Sequence, residues 1–306
     1  MLKYFARRSI YMLVILFLST IGIFYALRYA SGDPSSSALN PLATEEQREA
    51  FRDRIGLNDP TYEQYFRYIG TLLQGDLGES VVNGRQVSDQ LKSNGKNSLI
   101  LGLSALALSY LLAVPLGVVA AVRRNTWVDQ SALGGAAAGM GIPNFWLALL
   151  LVWLFSLTLG WLPPAGCCSW QQLIMPTLVL AAEGTAIIMR MVRSSVLEQM
   201  NQDFVRVLRA KGVPERKIIS RHVLRNALIP VISLSGLRFG QIIGYTLIVE
   251  VIFRWPGVGF LLVDATLRRD FPVVQFFSIM LIFFVVLANW LAELSYGMAD
   301  PRIRRA

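Results

Sequence analysis

The chain has 306 residues, of which 54% are apolar and 16% are charged, and its mean hydropathy is +0.48. A soluble domain usually carries about 25% charged residues, so this composition indicates a protein embedded in lipid and excludes a disordered, collagenous or small disulfide-stapled chain. The net charge of +9 is typical of a membrane protein with basic cytoplasmic loops and does not by itself indicate nucleic-acid binding.

The apolar runs predict six transmembrane helices, since about 20 residues cross a bilayer. The first run, residues 10–27, is uncharged and longer than the core of about 7–15 residues in a signal peptide, so we expect it to stay in the protein as a helix. The other predicted spans are 97–122, 131–159, 173–193, 229–252 and 271–292. The predicted fold class is therefore an all-α multi-pass membrane protein.

A polar segment, residues 31–96, separates the first two spans and contains ten acidic and seven basic residues. Within it, Glu45 and Glu46 suit the first turn of a helix, because the positive end of the helix dipole stabilises carboxylates. We therefore expect a helix over residues 44–54.

The basic residues indicate the orientation of the six predicted spans. Lys and Arg are concentrated at the N-terminus, in the loops 123–130 and 194–228, and in the C-terminal tail, which all fall on one side of the membrane after six crossings. The short loop 254–270, with three arginines, is the exception. Because Lys and Arg are enriched in cytoplasmic loops, both termini are predicted to be cytoplasmic and the polar segment extracytoplasmic.

The sequence lacks the motifs of common catalytic sites, including the His-Glu-x-x-His zinc motif, the Gly-x-Ser-x-Gly elbow and the phosphate-binding loop. Its single histidine, His222, and its two cysteines, Cys167 and Cys168, are too few for a zinc site. The adjacent cysteines are expected to pack unbridged in a loop, because a disulfide favours Cα atoms about 5.5 Å apart. We predict no catalytic residue, no metal site, no cofactor bound by this chain and no ATP hydrolysis by it alone.

The loop 194–228 is the most informative segment. Apolar residues within 204–208 predict one face of an amphipathic helix, and Gly212 followed by Pro214 predicts its end, with the glycine in a left-handed conformation. A second short helix is predicted after Pro214, running to Arg225. A basic helix of this kind suits either the headgroup surface of the membrane or a groove in a soluble partner.

This loop contains the fragments Asp203-Phe204-Val205-Arg206, Arg209-Ala210-Lys211-Gly212 and His222-Val223-Leu224-Arg225. The fragments resemble the coupling loop of binding-protein-dependent ABC importer permeases, and they are most similar to the dipeptide/oligopeptide/nickel branch. Residues 206–208 depart from the Glu-Ala-Ala of the broader family, and Arg225 replaces its proline, as is usual in this branch. The resemblance continues in Gly32-Asp33-Pro34, Gly56-Leu57-Asn58-Asp59-Pro60, Gly75-Asp76-Leu77-Gly78, Ile142-Pro143-Asn144-Phe145-Trp146, Trp255-Pro256-Gly257-Val258-Gly259, Arg269-Asp270-Phe271-Pro272 and Asp300-Pro301-Arg302.

The resemblance implies a type I ABC importer permease fold with six transmembrane helices and a cytoplasmic coupling helix, in the inner membrane of a bacterium. It implies a second homologous permease subunit, two ABC ATPase subunits that bind ATP and Mg, an extracytoplasmic solute-binding protein and no nucleic acid. The mechanism that it implies is alternating access, in which the ATPase dimer moves the coupling helix around Gly212. The residues that it assigns to ATPase coupling are Asp203, Arg206, Arg209, Ala210, Lys211, Gly212, His222 and Arg225.

The predicted segments are a transmembrane helix at 1–30, an extracytoplasmic segment at 31–94, the permease core at 95–295 with a coupling loop at 195–228, and a cytoplasmic tail at 296–306. Charges within spans are costly and mark paired or functional residues. Glu183 and Arg238 fall at middle depth of their spans, where they either form a structural ion pair or line the translocation path. Asn144 is assigned to the path with them. Arg190 and Arg193 are expected to extend to the cytoplasmic surface.

Other function classes stay open from the residues alone: a gradient-driven transporter or channel, and a membrane scaffold or enzyme. An inverted repeat would favour the transporter, and we see no clear internal repeat. For the solute, the few soft ligands slightly favour short peptides over nickel or a metal chelate. Two fragments, Pro143-Asn144-Phe145-Trp146 and the tail Asp300-Pro301-Arg302, are nevertheless somewhat similar to nickel permeases.

Overall fold

The computed structural model of the chain describes residues 2–30, 35, 39, 42–233 and 235–299, without the side chains of 2–5, 30, 233–239, 243 and 292–299. Within these residues the regular structure is helical, with a single isolated antiparallel bridge between Glu79 and Gln86. In chain order, the helices are α1 Leu2–Ala30, α2 Glu45–Arg54, α3 Thr61–Leu73, α4 Val87–Val122, α5 Trp127–Gly141, α6 Asn144–Leu151, α7 Trp170–Met200, α8 Asp203–Ala210, α9 Glu215–Lys217, α10 Leu224–Ser233, α11 Ser235–Ile252, α12 Val258–Leu267 and α13 Phe271–Ala299. Two π-helical segments, Val152–Thr158 and Ile218–Val223, follow α6 and α9.

Helix length and hydropathy give four candidate membrane spans in the described residues, and a fifth if one bent helix pair counts as one crossing. These spans are Ala6–Tyr29, Val87–Val122, Trp170–Met200 and Phe271–Leu291, with the bent pair Trp127–Gly141 and Asn144–Thr158. The predicted span 229–252 is divided between α10 and α11, and its apolar part, Gly240–Ile252, is shorter than a full crossing. The multi-pass helical fold is therefore established, and the count of six is not confirmed.

The predicted continuous span over 131–159 is wrong, because the chain bends by 103° between α5 and α6. The break falls at Ile142 and Pro143. Ile142 is extended, with φ −85° and ψ 118°, as expected for a residue before proline. Proline also lacks the backbone N–H that would continue the helical hydrogen-bond ladder.

The described chain contains two compact units. The first combines Met1–Leu99 with Pro256–Leu287, and it includes the predicted extracytoplasmic segment. Its α2 begins as predicted: the Thr44 side chain accepts a hydrogen bond from the backbone N–H of Gln47, and the Gln47 side chain accepts one from that of Thr44. Helix α3 packs on α1 through Tyr65, whose ring lies edge-on to the buried Phe24 at 5.3 Å between centroids.

The second unit combines Ile100–Trp255 with Ala288–Ala306. In it α4 and α7 approach so closely that only small residues fit between them. A Cβ atom added at Gly117 would lie 2.7 Å from the carbonyl oxygen of Met189, and one added at Gly184 would lie 2.8 Å from Oγ of Ser109. Small residues at helix crossings are the usual basis of tight packing between membrane helices. This contact fixes the helix that leads into the coupling loop.

The expectation that the two cysteines stay unbridged is wrong. Cys167 and Cys168 form a disulfide, although their Cα atoms are only 3.7 Å apart. The backbone turns sharply at this point, since Gly166 and Cys168 both have positive φ angles, of 113° and 79°. Because both sulfurs are used in the bridge, neither offers a thiolate to a metal ion.

Candidate coupling loop and translocation path

Most of the apolar face of α8 packs against protein, whereas Val207 is exposed. Val205 is fully buried in a cluster that also contains Val196 of α7, Ile218 and Val223. Phe204 and Leu208 pack against the same cluster and are partly buried, since Leu208 lies three residues after Val205 and four after Phe204. A helix with most of its apolar face covered by protein has little apolar surface left for lipid headgroups, and this supports the docking interpretation.

Gly212 ends α8 in the conformation that the sequence predicts, with φ +73°. Its backbone N–H donates to the carbonyl of Arg209 at 2.9 Å, and that of Val213 donates to the carbonyl of Leu208 at 3.2 Å. This pair of bonds is the Schellman pattern, which requires a left-handed residue just after the helix. Val213 and Leu208 also pack against the same apolar cluster. The turn is therefore held by both backbone bonds and side-chain packing.

A two-bond ion pair joins the two sides of this turn. The Nε and Nη2 atoms of Arg209 donate to the two carboxylate oxygens of Glu215, at 3.1 and 2.6 Å. The hydrogen bond from Arg209 is the main reason that the pKa of the Glu215 carboxyl lies below its usual value. Both side chains are about half exposed, so we attribute to the pair a role in the geometry of the turn and not in overall stability.

The chain after Pro214 differs from the short helix predicted to end at Arg225. Helix α9, the π-helical segment Ile218–Val223 and α10 follow one another without a break up to Ser233. A π-helical segment widens the turn by one residue, which hydrophobic periodicity at 3.6 residues does not reveal. The coupling turn is therefore continuous with α10, so that movement of the turn displaces that helix too.

All but one of the residues assigned to coupling are exposed on the loop. The exposed residues are Asp203, Arg206, Arg209, Ala210, Lys211, Gly212 and Arg225, whereas His222 is partly buried. Arg206 pairs with Asp203 at 3.2 Å within α8. The loop thus presents a mainly basic polar surface on an ordered backbone, which is the form that a docking element for a soluble subunit requires.

The three residues assigned to the path lie on different elements. Glu183 lies in α7, where its side chain is partly buried and engaged with a neighbour. Asn144 is the first residue of α6, at the 103° bend. Arg238 lies in α11, and its side chain is outside the part of the chain that the structure describes. The predicted pairing of Glu183 with Arg238 therefore stays a prediction.

One ion pair of the second unit, between α5 and α7, was not predicted. Arg193 of α7 donates to both carboxylate oxygens of Asp129 in α5, at 2.5 and 2.7 Å. The Asp129 side chain is 3% exposed and that of Arg193 is 19% exposed. The backbone N–H of Asn125 also donates to Asp129. Arg193 is therefore held by a carboxylate in the first turn of α5, and its extension to the cytoplasmic surface stays a prediction; Arg190, one turn away, is exposed.

Known proteins share the full length of this chain. Residues 113–305 match a family described as "Binding-protein-dependent transport system inner membrane component", and residues 1–88 match the N-terminal region of such components. The chain is 37% identical over 304 residues to the glutathione transport system permease protein GsiC of Escherichia coli strain CFT073, across 99% of each chain. It is 37% identical over 314 residues to the oligopeptide transport system permease protein AppB of Bacillus subtilis strain 168, again across 99% of each.

The two family matches cover the coupling loop and all of the described helices except residues 89–112 of α4. A match of this extent, with more than 30% identity to relatives of the same length, excludes a fortuitous resemblance of short fragments. The members of the family are membrane permease subunits and not themselves enzymes. The chain therefore belongs to the family of binding-protein-dependent transport system inner membrane components, as a permease subunit of an ABC importer.

Proposed function

We propose that this chain forms one half of the translocation path of an ATP-driven importer of short peptides. The observation that carries the proposal is full-length similarity to permeases named for glutathione and for oligopeptides, two solutes that share the peptide class. The ordered coupling turn at Gly212 supports the ATP-driven mechanism, since it offers a soluble subunit a rigid surface. Nickel import, the alternative from the sequence, is not favoured by these relatives.

The proposed assembly has this chain beside a second homologous permease subunit, with two ATPase subunits at the coupling loops and a solute-binding protein on the opposite face. ATP and Mg bind to the ATPase subunits. Closure of the ATPase dimer carries α8 with it, and the continuous α9–π–α10 segment transmits this displacement towards α11. The path then opens to the loaded binding protein and resets after hydrolysis. Glu183, Asn144 and Arg238 are proposed to line the path.

Six crossings of the bacterial inner membrane are proposed, with both termini cytoplasmic. The bent pair α5–α6 supplies the third crossing and α10–α11 the fifth. The basic loops support this orientation, because Lys and Arg are retained on the cytoplasmic side. In this arrangement the coupling turn is cytoplasmic, where ATPase subunits are present.

Uptake of a radiolabelled tripeptide tests the proposed solute class. Cells that lack the chain are expected to lose uptake of a hydrolysis-resistant tripeptide, and the restored gene is expected to recover it. Uptake of ⁶³Ni²⁺ by the same cells serves as the matched control and is expected to be unchanged. Loss of nickel uptake with normal tripeptide uptake would contradict the proposal in favour of the nickel alternative.

Reporter fusions test the proposed topology. A reporter joined after Arg225 is expected to read cytoplasmic, and one inserted at Asn83 is expected to read extracytoplasmic, because the basic and acidic segments alternate across the membrane. Alkaline phosphatase and green fluorescent protein give opposite signals in the two compartments and check each other. If the reporters place both positions on the same side of the membrane, the six-crossing arrangement is refuted.

A further inference from the structure

A cavity of about 220 Å³ lies within the first compact unit, walled by α1, α3 and the start of α13. A water molecule occupies about 30 Å³ in the liquid, so the cavity has room for about seven waters or for a ligand the size of an amino acid. Its lining residues include none of those assigned to the coupling loop or to the path. None of the functions proposed above uses it.

Three side chains of this cavity wall each carry a buried polar atom with no hydrogen-bond partner in the described part of the chain. These atoms are Nη1 of Arg28, the hydroxyl oxygen of Tyr68 and Nε2 of Gln275. Gln275 is only 3% exposed. An unpaired buried donor costs about 1–3 kcal/mol, and more when it is charged. The three side chains belong to three different helices that line this cavity, and because these atoms have almost no accessible surface, a ligand in the cavity reaches them only when the side chains turn towards it.

The guanidinium of Arg28 is held in place, and in the part of the chain that the structure describes it has no carboxylate partner. Its Nε donates to Oε1 of Gln64 at 2.8 Å, and the Gln64 amide is itself fixed by donating to the carbonyls of Leu57 and Asp59. Its guanidinium carbon lies 4.4 Å from the ring centroid of Phe24 and 5.2 Å from that of Phe271. Aromatic faces orient a guanidinium but do not replace an anion.

The other charges of the wall decide the class of ligand. Arg67 is already paired with Asp59 at 2.5 Å, and the exposed Asp76 accepts a hydrogen bond from the backbone of Gly78. Among its described residues the wall therefore has one guanidinium without a carboxylate partner and one exposed acidic group. This balance suits a monovalent anion, whereas Asp76 would repel a phosphate dianion. A carboxylate also matches the planar fork of a guanidinium.

We propose that this cavity binds a small carboxylate ligand of amino-acid size, around which the side chains of Arg28, Tyr68 and Gln275 close. Arg28 supplies the charge, while the Tyr68 hydroxyl and the Gln275 amide donate hydrogen bonds. Burial raises the pKa of Tyr68, so its hydroxyl keeps the proton that it donates. The site goes beyond the proposed import function, and it does not depend on which solute is carried.

Thermal unfolding of the purified transport complex tests this site with N-acetylglycine as the probe. N-acetylglycine is expected to raise the Tm of the permease chain in a saturable manner. N-acetylglycinamide, which has the same shape without the charge, and chloride at equal ionic strength are expected not to do so. An equal effect of the amide or of chloride would overturn the proposal. A Tm shift seen only after addition of the solute-binding protein would also overturn the proposal. It would indicate that a side chain of that partner, and not a small carboxylate, occupies the cavity.

Two substitutions remove single donors without changing the size of the wall. Tyr68→Phe and Gln275→Met are each expected to weaken N-acetylglycine binding by about tenfold, because each deletes a hydrogen bond to a charged group. Tyr62→Phe is the matched control: it lies on the same helix α3, its side chain is exposed, and it should leave binding unchanged. Because the Tyr68 hydroxyl has no partner in the described structure, Tyr68→Phe should not lower the Tm without ligand. Unchanged binding in both variants would refute the site, whatever the result of the uptake experiment.

Discussion

Gly212→Val is expected to reach the membrane at the normal level and to reduce solute uptake about tenfold or more. Gly212 has φ +73°, and a side chain added there meets open space, so the cost of valine is backbone strain and not a clash. A β-branched residue in the left-handed region costs about 1–3 kcal/mol of backbone strain. When about 1.4 kcal/mol of this strain disfavours the docked conformation of the turn, uptake falls tenfold. Uptake of the labelled tripeptide and ATPase activity of the complex are the measurements, and we expect the ATPase activity to be uncoupled from uptake.

Two further variants separate coupling from general strain. Gly75→Val is the matched control, because Gly75 has φ +82° and also has open space around its Cβ position, but lies in the first unit. It should leave uptake unchanged. Gly212→Asn should recover most of the uptake, since asparagine tolerates the left-handed conformation. Normal uptake in Gly212→Val would show that the turn is a passive surface feature and would remove the structural support for the coupling mechanism.

Local signals in the sequence explain which parts of the fold could be predicted. The start of α2 near Thr44 and the end of α8 at Gly212 depend on residues within one turn, and the helix predicted over 44–54 and the left-handed Gly212 are both confirmed. The bend at Pro143 also has a local cause, but the uncharged run on either side of it favoured one long helix in the prediction. Hydropathy measures whether a segment suits lipid and is insensitive to its direction. The bridge between Cys167 and Cys168 depends on a backbone turn that composition does not reveal.

Functional groups that depend on distant contacts could not be predicted from one sequence. Asp129 and Arg193 are 64 positions apart, and only the packing of α5 on α7 brings them together. Arg28, Tyr68 and Gln275 come from the beginning, the polar segment and the last span of the chain. Each residue alone is an ordinary member of a helix. No signal in the sequence indicated the first pair, since Arg193 is the last residue of its predicted span and was expected to extend to the cytoplasmic surface.

Arg193→Met is expected to lower the amount of the chain in the membrane about fivefold or more, because it leaves the Asp129 carboxylate, which is 3% exposed, without its cation. Breaking one side of a buried ion pair is far more harmful than removing both charges. A chain that is less stable unfolds more often and is then degraded, which lowers its steady-state abundance several-fold. Quantitative immunoblotting of membranes and the Tm of the purified complex measure the effect.

The double variant Asp129→Asn/Arg193→Met distinguishes an unpaired charge from a lost side chain. It removes both charges, and the substituted amide still accepts the hydrogen bond from the backbone of Asn125, so most of the lost abundance should return. Arg190→Met is the matched control, since Arg190 lies one turn away on the same helix and is exposed, and it should leave abundance unchanged. Equal losses in the single and double variants would show that the Arg193 side chain acts through packing and not through its pair with Asp129. If the double variant is abundant but takes up solute more slowly, the pair also holds α5 and α7 in the arrangement that coupling requires.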